Sequence, residues 1–302
     1  MTVCFCRGKM IMLLNEEIRK MNSNLKTGWR VFSKTYMMEG VIMEDWLKEV
    51  KDGWNKTADS EWYRSLRTDE KIEELVNNPM SAFHPAVYAL ISKYIPDLKS
   101  KKILLPSSGD NHAAFAFALL GAEVTSADIS ERQLENAAVI AERLNLNIDF
   151  VCDNTMELTH IESDTYDLVY TSNGTHSWIP DLSIMYHNIS RVLKSSGYSI
   201  MYDIHPFNRP FTGEPWKEPK VSKAYKDTMP SCHWRVQDLI NASISADLSI
   251  KEMAELEAVN ASFWYTYDEL IKQSSDRIQS INDWNCNPMA ALPAWITIVS
   301  QK

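Results

Sequence analysis

The chain has 302 residues, a formal net charge of -9, 45% hydrophobic residues and 24% charged residues. That balance is ordinary for a globular domain in water, and the net acidity works against the phosphate backbone of nucleic acid. No apolar run approaches the roughly 20 residues that cross a bilayer, and the N-terminal stretch lacks the h-region and cleavage site of a signal peptide.

The basic run Lys99–Lys102 (KSKK) is short and precedes a strand, so it reads as a solvated loop. The five cysteines, Cys4, Cys6, Cys152, Cys232 and Cys286, are odd in number and scattered. They fit free thiols in a reducing cytoplasm rather than a disulfide framework or a zinc site. Neither a membrane, nor nucleic acid, nor a metal is expected as a partner. Monomer and homodimer are both left open.

Residues 1–43 are methionine-rich and weakly patterned, and are expected to form a loosely attached extension. Residues 44–99 are expected to be helical. EDWLKEVKDGWNKTADSEWYRSLRTDEKIEELVNN sets Trp and Leu at helical intervals among charges and stops at Asn78-Pro79. HPAVYALISKYI adds a short amphipathic helix before Pro96. From Lys101 the pattern alternates. KKILLP predicts a buried strand, and NHAAFAFALL a helix closed by Gly121. EVTSAD predicts a second strand, and Ser130 opens a helix with Gln133 placed to complete a capping box. NIDFVC and YDLVYTS predict two further strands, and DLSIMYHNISRVL a helix ending near Gly197. YSIMYDI predicts a fifth strand, VQDLINASIS a helix, LSIKEMAEL a sixth strand and WITIVS a last one. Such alternation predicts an α/β fold with a mostly parallel sheet covered on both faces.

In open α/β sheets ligands bind beyond the carboxyl ends of the strands. The first end is PSSGDN, around Gly109. The second is Asp128, at the spacing from a glycine turn where an acid holds ribose hydroxyls; a carboxylate accepts from both hydroxyls of a diol at once. The third is Asp153-Asn154-Thr155, which suits an adenine and equally an ordinary turn. A pyrophosphate fingerprint wants glycines at Ser107, Gly109 and His112, and only Gly109 is one. A ligand with a nucleoside and no phosphates, such as S-adenosylmethionine, asks less of this turn.

The sequence resembles the class I S-adenosylmethionine-dependent methyltransferases, particularly bacterial small-molecule members, clearly over 101–205. ILLPSSGDN, VTSADIS, FVCDNTMEL and YDLVYTSNGTHSWIPDL fall in turn on the first four family motifs. RVLKSSGYSIMYDIH falls on the pair that follows, its RVLKSSG resembling the family's R-x-L-[KR]-x-G-G phrase. The resemblance implies a Rossmann-like, seven-stranded sheet with a reversed last strand. It also implies a helical lid within an N-terminal segment 1–99, a catalytic domain over 100–302, and an insert at 258–292 beside the substrate pocket.

The cofactor site so implied comprises Pro106, Ser107, Ser108, Gly109, Asp110 and Asn111 in the first turn. Asp128, Ile129 and Gln133 follow, then Asp153, Asn154 and Thr155, and finally Ser172 and Asn173. The family's usual acid at the position of Leu105 and glycines at Ser107 and Asn111 are replaced here, so Asp110 or turn carbonyls are expected to meet the cofactor's ammonium group. Methyl transfer is an in-line displacement in which the protein mainly aligns donor and acceptor.

His176 and His205, at two neighbouring strand ends, are the candidate general bases. Trp178, Phe207 and Tyr63 are candidate aromatic contacts for substrate, and Arg209 a candidate for an anionic group on it. A nicotinamide-dependent oxidoreductase and a non-catalytic protein that keeps the fold are the competing readings.

Overall fold

The computed structural model describes residues 40–302 apart from 212–213, 215 and 227–231, with side chains from Trp46 onward. Residues 1–39, with Cys4 and Cys6, lie outside the described residues. Four helices lead in: α1 Gly40–Thr57, α2 Glu61–Leu66, α3 Asp69–Asn77 and α4 Pro85–Tyr94. Their starts carry local signals. Ser60 and Thr68 cap α2 and α3 through their hydroxyls, and His84 caps α4, where Pro85 supplies the preset φ of a first helical residue.

The sheet then follows in the predicted order. It runs β1 Lys102–Pro106, α5 His112–Leu119, β2 Glu123–Asp128, α6 Glu131–Arg143, β3 Ile148–Cys152 and β4 Tyr166–Ser172. It continues with α7 Leu182–Val192, β5 Leu193–Ile204, α8 Val236–Ser245, β6 Ser249–Leu256 and β7 Trp295–Gln301. The seven strands stand in the order β3-β2-β1-β4-β5-β7-β6. Pairing is parallel from β3 to β5, and β7 runs antiparallel to both of its neighbours. β7 is thus the reversed strand, slotted between β5 and β6. Two sequence expectations are corrected. α7 stops at Val192, well before Gly197, because β5 starts at Leu193 and pairs at once with Tyr166. The capping box at Ser130 is half formed. Ser130 Oγ accepts from the Gln133 N–H, but the Ser130 N–H goes to Asp128 Oδ1 at 2.8 Å.

Side-chain alternation along each strand splits the core between the two faces. Ile103 and Leu105 of β1 face the side covered by α4 and α5, whereas Leu104 faces the side covered by α7 and α8. Trp295 anchors the first face. It is fully buried, stacks on Tyr202 at 4.7 Å between ring centroids and meets Phe263 at 5.0 Å. Replacing Trp295 with Ala is expected to cost about 3–5 kcal/mol of stability through lost transfer energy and the cavity left behind. Urea denaturation with an unchanged m value checks this.

Candidate active site

The strand order places the site. β1 runs on to β2 and β3 on one side, while β4 starts the other half on β1's other side. Loops leaving β1 and β4 therefore diverge, and a crevice opens between them at the carboxyl edge. A cavity with about 890 Å³ of empty space, partly open to solvent, lies there. Its floor is the turn after β1, with Asp128 and Ile129 after β2, Asn154 and Thr155 after β3, and Ser172 and Asn173 after β4. Its roof is apolar. α1 contributes Trp46, Val50 and Trp54, α2 contributes Trp62 and Tyr63, and the 3-10 turn Thr175–Trp178 contributes Trp178. Trp54 meets Trp178 edge-on at 5.4 Å and Tyr63 at 6.5 Å.

The turn after β1 keeps a left-handed backbone although most of its glycines are replaced. Gly109 has φ +50°, and a Cβ there would come within 3.1 Å of Gln133, so glycine suits this position on both counts. Ser107 takes φ +53° where a family member carries glycine. Its hydroxyl bonds Thr155 Oγ1 at 2.5 Å across to the β3 loop. Asn111 accepts the Ala113 N–H at 3.0 Å as the cap of α5 and donates to Ser172 Oγ at 3.0 Å. The replaced glycines have thus become ties between neighbouring loops. Leu105, at the position of the family's acid, lies in the core.

Two carboxylates face this floor. Burial pushes Asp128 up to about 6, against hydrogen bonds from the backbone of Ser130, Gly109 and Ile129 that favour its charged form. Burial also pushes Asp110 up to about 7, opposed chiefly by Arg67, whose Nη1 donates to Asp110 Oδ2 at 3.0 Å. Arg67 follows α2 and carried no sequence signal. Tyr63 is buried, shares a hydrogen bond with Gln133 and is held protonated by burial and by the neighbouring Asp110 and Asp128.

α1 is tied down over the start of α6. Asn55 Oδ1 accepts from Ser130 Oγ at 2.7 Å and from the Arg132 N–H at 3.1 Å. Lys51 pairs with Glu131, and Arg132 donates to both carboxylate oxygens of Asp59 at 2.7 and 3.2 Å. The sequence held a trace of this: Trp46, Val50 and Trp54 recur every four residues, as do Lys51, Asn55 and Asp59.

Several candidates fall elsewhere. Pro106 ends β1 without lining the cavity. Asp153 turns into its own loop, accepting from the Asn154 N–H at 2.8 Å, the His160 N–H at 2.7 Å and Thr159 Oγ1 at 3.1 Å, so it is not offered to an adenine. His176 is buried with both ring nitrogens engaged, Nδ1 donating to Asp203 Oδ2 at 2.9 Å and Nε2 facing the Tyr186 hydroxyl at 3.0 Å. His205 is fully buried. Its Nε2 meets Glu255 at 2.8 Å and its Nδ1 accepts the Phe207 N–H at 3.2 Å. Arg209 is drawn to Asp203 Oδ1 at 3.4 Å, and Phe207 packs on His205 and Tyr225.

None of His176, His205, Phe207 and Arg209 lines the cavity. In the loop after β5, His205 is held by Glu255 and Arg209 is drawn to Asp203, while Phe207 lies exposed away from the crevice. His176 follows β4 and is turned instead to Asp203 and Tyr186. Among the described residues of the 258–292 insert, none lines the cavity either. Phe263 of the insert packs on Trp295, and Trp264 joins the same core.

Residues 106–197 match the family described as a methyltransferase domain. This stretch is similar to methyltransferase domains, and the sheet around it has the fold of S-adenosylmethionine-dependent methyltransferases. An uncharacterized methyltransferase, YbaJ, of Bacillus subtilis is 28% identical over 113 residues, which span 37% of this chain and 44% of that protein, less than half its length. A crystal structure of an S-adenosylmethionine dependent methyltransferase from Mesorhizobium loti is 16% identical, with TM-score 0.52, over 75% of this chain and all (100%) of that one. Geranyl diphosphate C-methyltransferase from Streptomyces coelicolor, crystallised with S-adenosyl-L-homocysteine, is 12% identical, with TM-score 0.53, over 85% of this chain and 97% of that one. The cofactor of such a domain is S-adenosylmethionine.

The residues present fit it. Three buried polar atoms of cavity-lining residues, Gln133 Oε1, Asn154 Nδ2 and Asn173 Oδ1, have no hydrogen-bond partner, a state that a polar ligand relieves. Among the described residues there is no His, Cys, Asp and Glu cluster able to hold a metal ion, and no helix is long and apolar enough to cross a membrane.

Two outcomes are expected. His176→Ala removes a side-chain partner of the buried Asp203 carboxylate, leaves a cavity beside it and costs about 2–3 kcal/mol, measured by chemical denaturation. Asp110 and Asp128 both titrate above the ordinary 3.8, at about 7 and about 6. Their contribution to folding stability is therefore complete below about pH 4 and is lost as pH rises through about 6 and 7. In Asp110→Asn the decline is expected to end near pH 6, read from thermal melts of the cofactor-free protein across this range.

Proposed function

We propose that this chain transfers a methyl group from S-adenosylmethionine to a small molecule. One observation carries the reading. Asp128 stands at the tip of β2 with its carboxylate at the cavity floor, under an apolar roof contributed by α1, α2 and Trp178. In this reading Asp128 accepts from both ribose hydroxyls. The turn Ser107–Asn111 lies beneath the amino-acid half, where Asp110, held from behind by Arg67, meets the ammonium group. Asn154 serves the adenine edge beside Ile129, and Asn173 lies near the sulfur. The cofactor supplies an electrophilic methyl group. The protein's part is to align the acceptor and keep water away from the reaction path. The described part of 1–99 acts as the lid, and the scattered cysteines support the cytoplasm as the place of work.

The dinucleotide alternative loses support at His112. A pyrophosphate turn needs a glycine there for close helix packing, whereas the buried His112 ring reaches Leu66 O through Nε2 at 2.9 Å. The non-catalytic reading rested on the replaced glycines, and the turn keeps its left-handed course without them.

The test is direct. Purified protein incubated with labelled methyl donor and metabolite extract should pass label to a small molecule. Asp128→Ala should weaken donor binding about 100-fold or more while the protein stays folded, because two hydrogen bonds to a charged group are lost. Calorimetry showing unchanged affinity would remove the assignment.

A further inference from the structure

The cavity has a marked asymmetry of charge and of chemistry. Among the described residues that line it there is no Lys, Arg or His, and its only formal charges are Asp110 and Asp128 at the floor. The roof carries Trp46, Trp54, Trp62, Tyr63 and Trp178. Trp54 stands at 77° to Trp178 and at 80° to Tyr63, so the rings form the walls of a corner and not a flat stack. Aromatic faces carry negative quadrupole density and attract cations. An anionic substrate would bury its charge here against those faces and two carboxyl groups, with no partner.

The same lining offers no general base to the roof side. Both candidate histidines are spent elsewhere, Asp110 is held by Arg67, and Asp128 is ringed by backbone N–H groups. Tyr63 keeps its proton. A hydroxyl acceptor, which must shed a proton as it attacks, finds nothing to take it. A nitrogen with a free lone pair needs no base at all.

We infer that the acceptor is a flat heteroaromatic molecule with a pyridine- or imidazole-type nitrogen, which leaves the enzyme as an N-methylated cation. This rests on the methyltransferase reading and names its substrate class. The ring nitrogen's lone pair forms the new N–C bond as the S–C bond breaks. The electron pair of that bond stays on sulfur, the positive charge passes from sulfur to the ring, and no proton is released. The corner of Trp54 and Trp178 faces positive charge before, during and after transfer, so water is not needed to solvate it.

The experiment uses the full chain saturated with S-adenosylhomocysteine and a matched pair of bicyclic ligands, N-methylquinolinium and 2-naphthoate, titrated by calorimetry. The cation is expected to bind at least about tenfold more tightly than the anion. Trp54→Leu and Trp178→Leu should each weaken cation binding about 5- to 30-fold, with the Phe variants recovering most of it and melting curves confirming the fold. With labelled donor, quinoline should be methylated and 2-naphthol should not. Naphthoate binding as tightly as the cation, or naphthol methylated faster than quinoline, overturns the inference. A titration of wild-type protein with the donor alone separates the two levels. If the donor binds and the cation preference is absent, only the acceptor class falls; if the donor does not bind, the methyltransferase reading falls and takes this inference with it.

Discussion

The whole site depends on one topological constraint, the divergence of the chain at β1 and β4. Parallel strands wound outward in opposite senses leave their first loops pointing apart, and no strand or helix of the sheet can fill the gap. The protein has to line that gap with polar loops and then cover it. The polar ties Ser107–Thr155, Ser108–Ser126 and Asn111–Ser172 join the turn after β1 to the β3 loop, to β2 and to the end of β4. They hold the floor in shape.

Covering the gap falls to α1 and α2. Two kinds of force act on this lid, and they differ in size and purpose. The exposed ion pairs of Lys51 with Glu131 and Arg132 with Asp59 contribute little free energy in water. They are directional, however, and with Asn55 at the start of α6 they set the angle and register of α1. Burial of Val50 and Tyr63, and the packing of Trp54 against Trp178, provides the larger stabilisation. The result is a roof seated on the element that also positions Asp128, so lid placement and the Asp128 carboxylate are mechanically connected through Ser130.

The end of β5 shows the opposite use of polar residues. Burial works against ionisation of Asp203, but His176, Arg209 and the His176 backbone N–H outweigh it and hold its carboxyl below the usual range. The network braces the loop that carries Trp178 against the end of β5, which makes His176 a positioning residue for the cavity wall rather than a participant in the chemistry.

Periodicity and turn chemistry alone determined the strands from Lys102 to Ile204 and β7, the cap at Ser130, the glycine turn at Gly109 and the spacing to Asp128. These are short-range properties, written in neighbouring residues, and most of the cavity floor follows from them. What tertiary structure decided is where the remaining polar groups point. His176, His205 and Arg209 look like site residues in sequence because they follow strand ends, yet Asp203 and Tyr186 hold His176, Glu255 holds His205 and Asp203 draws Arg209. Arg67, Trp46 and Trp54 look like ordinary helix residues, yet chain reversal folds them over a floor about 40 to 130 positions downstream. A side chain's local sequence sets its chemistry; its partners across the fold determine whether that chemistry is free to act.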